Sequence, residues 1–170
     1  MSDNINKDIK GSINVLTFRL NDEIFGIDIM SVKEVLDYTK ITKVPRTPEY
    51  MLGVINLRGN VTPVIDLKMK FGMKATEKTI DTCIIIVEVM VDEEVTTLGI
   101  LADSVEEVID FDEENIEDTP KIGVRLNIDF IKGMAKKGED FVIILDINKV
   151  FSSEEIADIS GISESAQEVT

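Results

Sequence analysis

The chain says nearly the same thing twice. Residues 26–38 read GIDIMSVKEVLDY and residues 99–111 read GILADSVEEVIDF. Gly26, Ile27, Ser31, Val32, Glu34, Val35 and Asp37 recur 73 positions later as Gly99, Ile100, Ser104, Val105, Glu107, Val108 and Asp110. A second match lies at a shift of 80. There MLGVINLRGNVTPVIDLKMKF lies over IKGMAKKGEDFVIILDINKVF, aligning Gly53 with Gly133, Asp66 with Asp146 and Phe71 with Phe151. Strands share a vocabulary, so a short likeness alone would mean little. Seven identities in thirteen without a gap, in the same order as the second match, mark a duplication. In 170 residues each copy has about 70 to 80. Neither is comfortably large on its own, so the two are expected to share a core.

The dominant period is two. In VLTFRL, Leu16, Phe18 and Leu20 share one face, and Thr17 and Arg19 the other. Phe25, Ile27 and Ile29 continue the alternation after a turn at Asn21-Asp22-Glu23, which predicts a hairpin of half-buried strands. MLGVINL and VTPVIDL predict a second hairpin around Arg58-Gly59-Asn60. CIIIVEVMV and VTTLGILA predict a third around Asp92-Glu93-Glu94, and IDFIKGMAK and DFVIILDI a fourth around Lys137-Gly138-Glu139. Pro63 lacks a backbone donor, so its strand should lie at an edge or bulge there. Helical signals are short. Asp66 can cap a turn or two through Lys70, ending at Gly72. Ser152 with Glu155 reads as a capping box for EEIADIS, with Gly161 as the stop. Pro45, Pro48 and Pro120 punctuate connections. The class expected is all-β, a barrel or sandwich with short helices.

Composition excludes several activities. Net charge is −15, from 18 Lys+Arg against 33 Asp+Glu. Nucleic acid binding needs cations to displace counterions, and adsorption to an anionic membrane needs them too. There is no histidine, which removes the commonest general base and metal ligand. The single cysteine, Cys83, allows no internal disulfide and no thiolate zinc cage. It opens the apolar run CIIIV and reads as a buried small hydrophobe. No metal site or cofactor is expected. The polar N-terminal stretch lacks the apolar run of a signal peptide. No run approaches the roughly 20 residues of a membrane span, so a soluble cytoplasmic protein is expected.

Two stretches carry candidate function. In the strand V-K-E-V-L-D, Val32, Glu34 and Leu36 point one way and Lys33, Val35 and Asp37 the other. Neither face is purely core. It is either an edge strand blunted by charge or a partner-facing strip with a built-in ion pair. In N-L-R-G, Arg58 sits at a hairpin tip and Gly59 permits positive φ. A solvated turn arginine is the plain reading. Against it, the second copy has Lys136-Lys137-Gly138 here, so the hairpins have diverged. Arg58 is also a candidate partner for Glu34, since a planar guanidinium suits a carboxylate.

At this point the resemblance is specific. FRLNDEIFGIDIMSVKEVLDY, PEYMLGVINLRGNVTPVIDLKMKFG, LGILADSVEEVIDF and FVIILDINKVFSSEE resemble the CheW family of bacterial chemotaxis adaptors. The likeness spans about residues 13–156, and GVINLRG-x-x-x-P-V-I-D-L is its most specific part. It implies two intertwined five-stranded SH3-like β-barrels around a shared core. The expected division is a flexible N-terminus at 1–12, a first barrel at about 13–80 and a second at about 81–151. A helix at about 152–160 and an acidic tail at 161–170 follow. The resemblance implies no enzymatic activity. It implies two partners, the cytoplasmic tip of a chemoreceptor and the regulatory domain of the histidine kinase CheA. Receptor contacts would involve Glu34 and Arg58, with apolar help from Val105 and Val108. A groove between the barrels would receive a receptor helix. The kinase-facing surface would include Val32 and Gly53. Core packing is the alternative for these valines, and Gly53, recurring as Gly133, reads equally as a tight-packing glycine. Three rival readings remain. A carboxylate enzyme could use Glu34, Asp66, Glu107 or Asp146, although Asp66 and Asp146 occupy matching helix-start positions. A module of the same fold could serve another pathway. An RNA-binding small barrel is disfavoured by charge and by the absence of tryptophan.

Overall fold

The computed structural model describes residues 11–117 and 129–169. Residues 1–10 of the expected N-terminal segment, Pro120 and Thr170 lie outside the described residues. All four expected hairpins form. They are β1 (Ser12–Leu20) with β2 (Glu23–Asp28), and β4 (Met51–Leu57) with β5 (Asn60–Asp66). The others are β6 (Cys83–Val91) with β7 (Glu94–Ala102), and β10 (Ile131–Lys137) with β11 (Asp140–Leu145). β3 (Val32–Asp37), β8 (Ser104–Asp112) and the two-residue β9 (Ile116–Glu117) complete the strands. Each hairpin turns on two residues, and Asn21, Arg58, Gly59, Asp92, Glu93 and Gly138 supply the positive φ such turns need.

The strands form two sheets, ordered β8-β1-β2-β11-β10-β9 and β3-β6-β7-β5-β4. Apart from β9, the orders are identical once the copies are matched, β3 with β8, β6 with β1, β7 with β2, β5 with β11 and β4 with β10. The sheets therefore do not divide the chain at residue 80, as the ranges 13–80 and 81–151 had it. Each copy donates its leading hairpin to the other copy's sheet. β2 runs parallel to β11, Gly26 against Ile144, and β7 runs parallel to β5, Gly99 against Val64. Gly26 and Gly99 are equivalent, and so are Ile144 and Val64. A Cβ on Gly26 would lie 2.3 Å from Val15 Cγ1, and one on Gly99 would lie 2.7 Å from Ile84 Cγ2. Both glycines are needed for close approach.

Exchange explains the core. Cys83, Ile85, Val87 and Val89 of β6 face a central cluster shared by both sheets. Ile84 and Ile86, on the other face, join Ile55, Val64 and Leu101 inside their own sheet. A strand buried on both faces reads as a continuous apolar run, hence CIIIV. β1 is likewise two-faced. Leu16, Phe18 and Leu20 enter the central cluster, while Ile13 and Val15 enter a third cluster with Phe111, Val142 and Ile144. Thr17 is therefore buried, not solvent-facing as half-burial implied. Its hydroxyl donates to the Glu107 carbonyl at 2.7 Å and accepts from the Glu107 N–H at 3.1 Å. The aromatics cross over in the same way. Tyr50 packs on Phe151 at 6.1 Å, and their counterparts Phe130 and Phe71 stack at 5.0 Å.

Helices are short except at the end. Asp66 caps α1 (Leu67–Lys70) through Lys68 N, and Asp146 caps α2 (Ile147–Val150) through Asn148 N. Ser152 and Glu155 form the expected capping box, Ser152 N–H donating at 2.9 Å and Glu155 N–H at 3.1 Å. The helix it opens, α3 (Ser153–Val169), runs through Gly161 instead of stopping there. Gly161 lacks the positive φ of a helix-ending glycine, and the residues after it (ISESAQEV) contain good helix formers. Ile156 and Ile159 anchor this helix in the central cluster.

Candidate functional site

Arg58 is held in its turn by local chemistry. Its φ is 52° and that of Gly59 is 87°. The Gly59 N–H donates to Asn56 Oδ1 at 2.8 Å. The guanidinium then reaches back to β3. Its Nη1 donates to Glu34 Oε2 at 2.5 Å and its Nη2 to Glu34 Oε1 at 3.0 Å. Such a bidentate fork fixes orientation as well as charge. The hydrogen bond to Glu34 raises the Arg58 pKa above its ordinary value. Glu34 is half-buried, while 73% of the Arg58 side chain stays exposed. The pair thus ties the hairpin tip to the edge strand β3 and leaves a guanidinium face open.

A groove of about 340 Å³ lies beside it. It is lined by Lys33 and Glu34 of β3, by Leu57–Arg58 and Asn60–Pro63 of the β4–β5 hairpin, by Val95, Thr96 and Thr97 of β7, and by Ser160 of α3. Thr96 Oγ1 and Ser160 Oγ are hydrogen-bonded at 3.3 Å, joining β7 to the helix. The sequence offered no signal for Val95, Thr96 or Ser160. They reach the site through the hairpin exchange and through α3.

The other expected site residues are placed differently. Val105 and Val32, equivalent in the two copies, are both half-buried and pack on the central cluster. Val108 and its counterpart Val35 are exposed, at 51% and 42%. Val105 and Val108 lie on β8, at the end of the six-stranded sheet, and do not line the Arg58 groove. Gly53 is buried beside a bulge at φ 147°, and a Cβ there would stand 2.1 Å from the Thr42 carbonyl oxygen. Asp66 is buried and satisfied as a cap, also accepting the Thr76 N–H at 2.9 Å and the Thr76 hydroxyl at 3.0 Å.

In the second copy, Glu107 pairs with Lys137 at 3.2 Å. Glu106 holds Arg19 and Lys137, and those bonds, Arg19 first, lower its pKa. No group of three or more metal-ligating side chains occurs among the described residues. No described helix is long and apolar enough to cross a membrane.

The model of the CheW-like domain family matches residues 14–155. The chain belongs to that family. CheW-like relatives include the chemotaxis protein CheW of Klebsiella aerogenes, 34% identical over 150 residues, covering 88% of each chain. Another is the chemotaxis protein CheW of Bacillus subtilis, 36% identical over 148 residues, covering 86% of this chain and 92% of that protein. The fold is similar to the crystal structure of the scaffolding protein TtCheW from Thermoanaerobacter tengcongensis. The TM-score is 0.73 at 38% identity, covering 85% of this chain and 90% of that one. For a CheW-like domain, two sheets with exchanged hairpins and short helices are therefore the architecture in hand.

Proposed function

We propose that this chain is a non-enzymatic adaptor of chemotaxis signalling, a scaffold coupling chemoreceptors to the histidine kinase CheA. It works in the cytoplasm, recruited to membrane-associated receptor arrays. The observation that carries the reading is the bidentate Glu34–Arg58 pair at the mouth of a groove. An exposed arginine locked in one orientation on a rigid hairpin suits recognition rather than turnover. Among the described residues, the carboxyl groups whose pKa moves, Glu106 and Glu155, both move down, away from what a general acid needs. Relatives of similar length that carry the name chemotaxis protein CheW support the pathway.

The receptor side takes a helical tip at Glu34 and Arg58, with Val105 and Val108 as further apolar contacts. The kinase side includes Val32 and Gly53. Gly53 is buried, so it acts there by shaping β4. An adaptor transmits a signal only if it binds the active and inactive assemblies with different free energies. A ligand presented by rigid strands has that capacity, because a shift of the receptor helix alters its fit to Arg58.

The test is calorimetry of the chain against two titrants, a receptor cytoplasmic-tip fragment and the regulatory domain of a CheA, both from the same source. The wild type should bind both. Arg58→Asp should weaken receptor binding by about tenfold or more and leave kinase binding within about twofold. Loss of both, with a lowered melting temperature, would make the residue structural.

A further inference from the structure

α3 covers a face of one sheet, and the duplication shows where the matching face lies in the other. The helix packs against β5, and its Ile156 and Ile159 join the cluster that holds Ile65 of β5 and Leu98 of β7. Further along the same face Pro63 is buried, and Thr96 Oγ1 is hydrogen-bonded to Ser160 Oγ. At the shifts of 80 and 73, Ile65, Pro63 and Val61 become Leu145, Ile143 and Phe141, while Leu98 and Thr96 become Phe25 and Glu23. Leu145 and Phe25 lie in the central cluster as their counterparts do. The outer part of the face differs. Phe141 is 44% exposed, Glu23 is exposed and Ile143 is half-buried. The first copy has no helix of its own to lay there. Gly72, at φ 81°, stands where Ser152 opens α3, and residues 73–82 lead to β6 instead. That connection is tied down elsewhere, Thr76 on Asp66 and Lys78 over the Tyr38 ring at 4.5 Å.

We infer that the face of β11 and β2 around Phe141 is a second helix seat, and that it takes an amphipathic helix of a partner protein whose apolar stripe is flanked by lysine or arginine. A hollow of about 260 Å³, lined by strands and turns alone, marks the place. Its size suits side chains of a helix laid across it. Phe141, Ile143 and Met134 give it an apolar floor, and Glu23, Glu139 and Asp140 an acidic rim. Arg19, the cation of the lining, is taken up by Glu106, and Lys136, the partner of Phe141 on β10, does not line the hollow. Charge decides the occupant. The α3 of a second copy would bring Glu154, Glu155 and Asp158 against these carboxylates, and like charges reject it. A lysine or arginine meets Glu23 instead, at the position where Thr96 takes Ser160 in the other sheet. The hollow shares no residue with the receptor and kinase surfaces proposed above, so it adds a third surface to the molecule.

The probe is a synthetic peptide of residues 152–169 with Glu154, Glu155, Asp158, Glu164 and Glu168 changed to lysine and Gly161 to alanine. It keeps the apolar stripe of α3, reverses the charge and favours the helix. In calorimetry the full chain should bind it one to one, with Kd on the order of 10 μM. A scrambled peptide of the same composition, and the acidic parent peptide, should bind about tenfold more weakly or worse. Phe141→Asp should weaken binding of the probe about tenfold or more, and so should Glu23→Lys combined with Asp140→Lys, with melting temperatures close to that of the wild type. Both variants should keep their affinities for the receptor-tip fragment and the kinase domain within about twofold. A scrambled peptide that binds as tightly as the probe would reduce the effect to charge attraction and overturn the inference. Phe141→Asp binding the probe as the wild type does would overturn it too, by placing the peptide elsewhere, and so would the absence of saturable binding. In each of these cases the receptor reading stands.

Discussion

Single residues in this chain are legible to different depths. Arg58 and Glu34 were joined on sequence grounds, because a turn arginine and a strand carboxylate are chemically matched, and the structure brings them together. Val105 and Val108 carry no such local signal. Their distance from the Arg58 groove depends on which sheet β8 joins, which no window of sequence reports. Gly53 was open between packing and contact, and its surroundings now make its packing role concrete. Gly53→Ala must push a methyl into the Thr42 carbonyl at a φ that L-residues avoid. It should cost on the order of 1–3 kcal/mol in urea unfolding. A neutral result would mean the strand can relax. Cys83 is 7% exposed, and burial first of all pushes its thiol up to about 11. It should resist thiol reagents at about pH 8 in the native protein and react fully in denaturant. Prompt labelling without denaturant would show that β6 opens locally.

At the scale of elements, local chemistry was the reliable guide. The hairpin turns, the Asp66 and Asp146 caps and the Ser152–Glu155 box are set by residues within a few positions, and each forms as expected. α3 continues past the expected stop at Gly161 because a glycine ends a helix only when a left-handed cap is made. The start of α3 is held by more than its box. Glu155 also takes a salt bridge from Lys70 at 2.8 Å, and Lys70 lies over the rings of Tyr50 and Phe151. Burial, then the bond to Glu155, raises the Tyr50 pKa to about 12. Burial pushes Glu155 up, but bonds from Lys70, the Ser152 N–H and Tyr50 outweigh it, and its pKa lies below the ordinary value. A lowered carboxyl pKa contributes stability above the unfolded value of about 4.3 and loses it as pH falls through the folded one. The gap in melting temperature between wild type and Glu155→Gln should thus close between neutral pH and about pH 3. A gap independent of pH would assign the effect to packing. Ser152→Ala should cost about 1 kcal/mol and speed amide exchange in α3.

For the whole molecule, duplication was readable and partition was not. Identities at two shifts reveal two copies, but strands have no memory of which copy they came from. The sheets are chosen by which faces bury best. Cutting the chain in the connection after Gly72, between α1 and β6, leaves each fragment with an incomplete pair of sheets. Neither should give a dispersed NMR spectrum alone, and an equimolar mixture should recover the native one. A fragment that folds by itself would refute the exchange as the source of stability. The exchange also bears on direction. Two identical single-copy chains trading hairpins would form a twofold dimer, with every surface present twice and no way to tell front from back. Fusing them into one polypeptide releases each copy from that symmetry. One hairpin carries Arg58 and Pro63, and the other carries Gly138 and Ile143 in their places. The result is a polar building block, one whose two ends are distinguishable, and an assembly made from it inherits an orientation that a symmetric dimer could never supply.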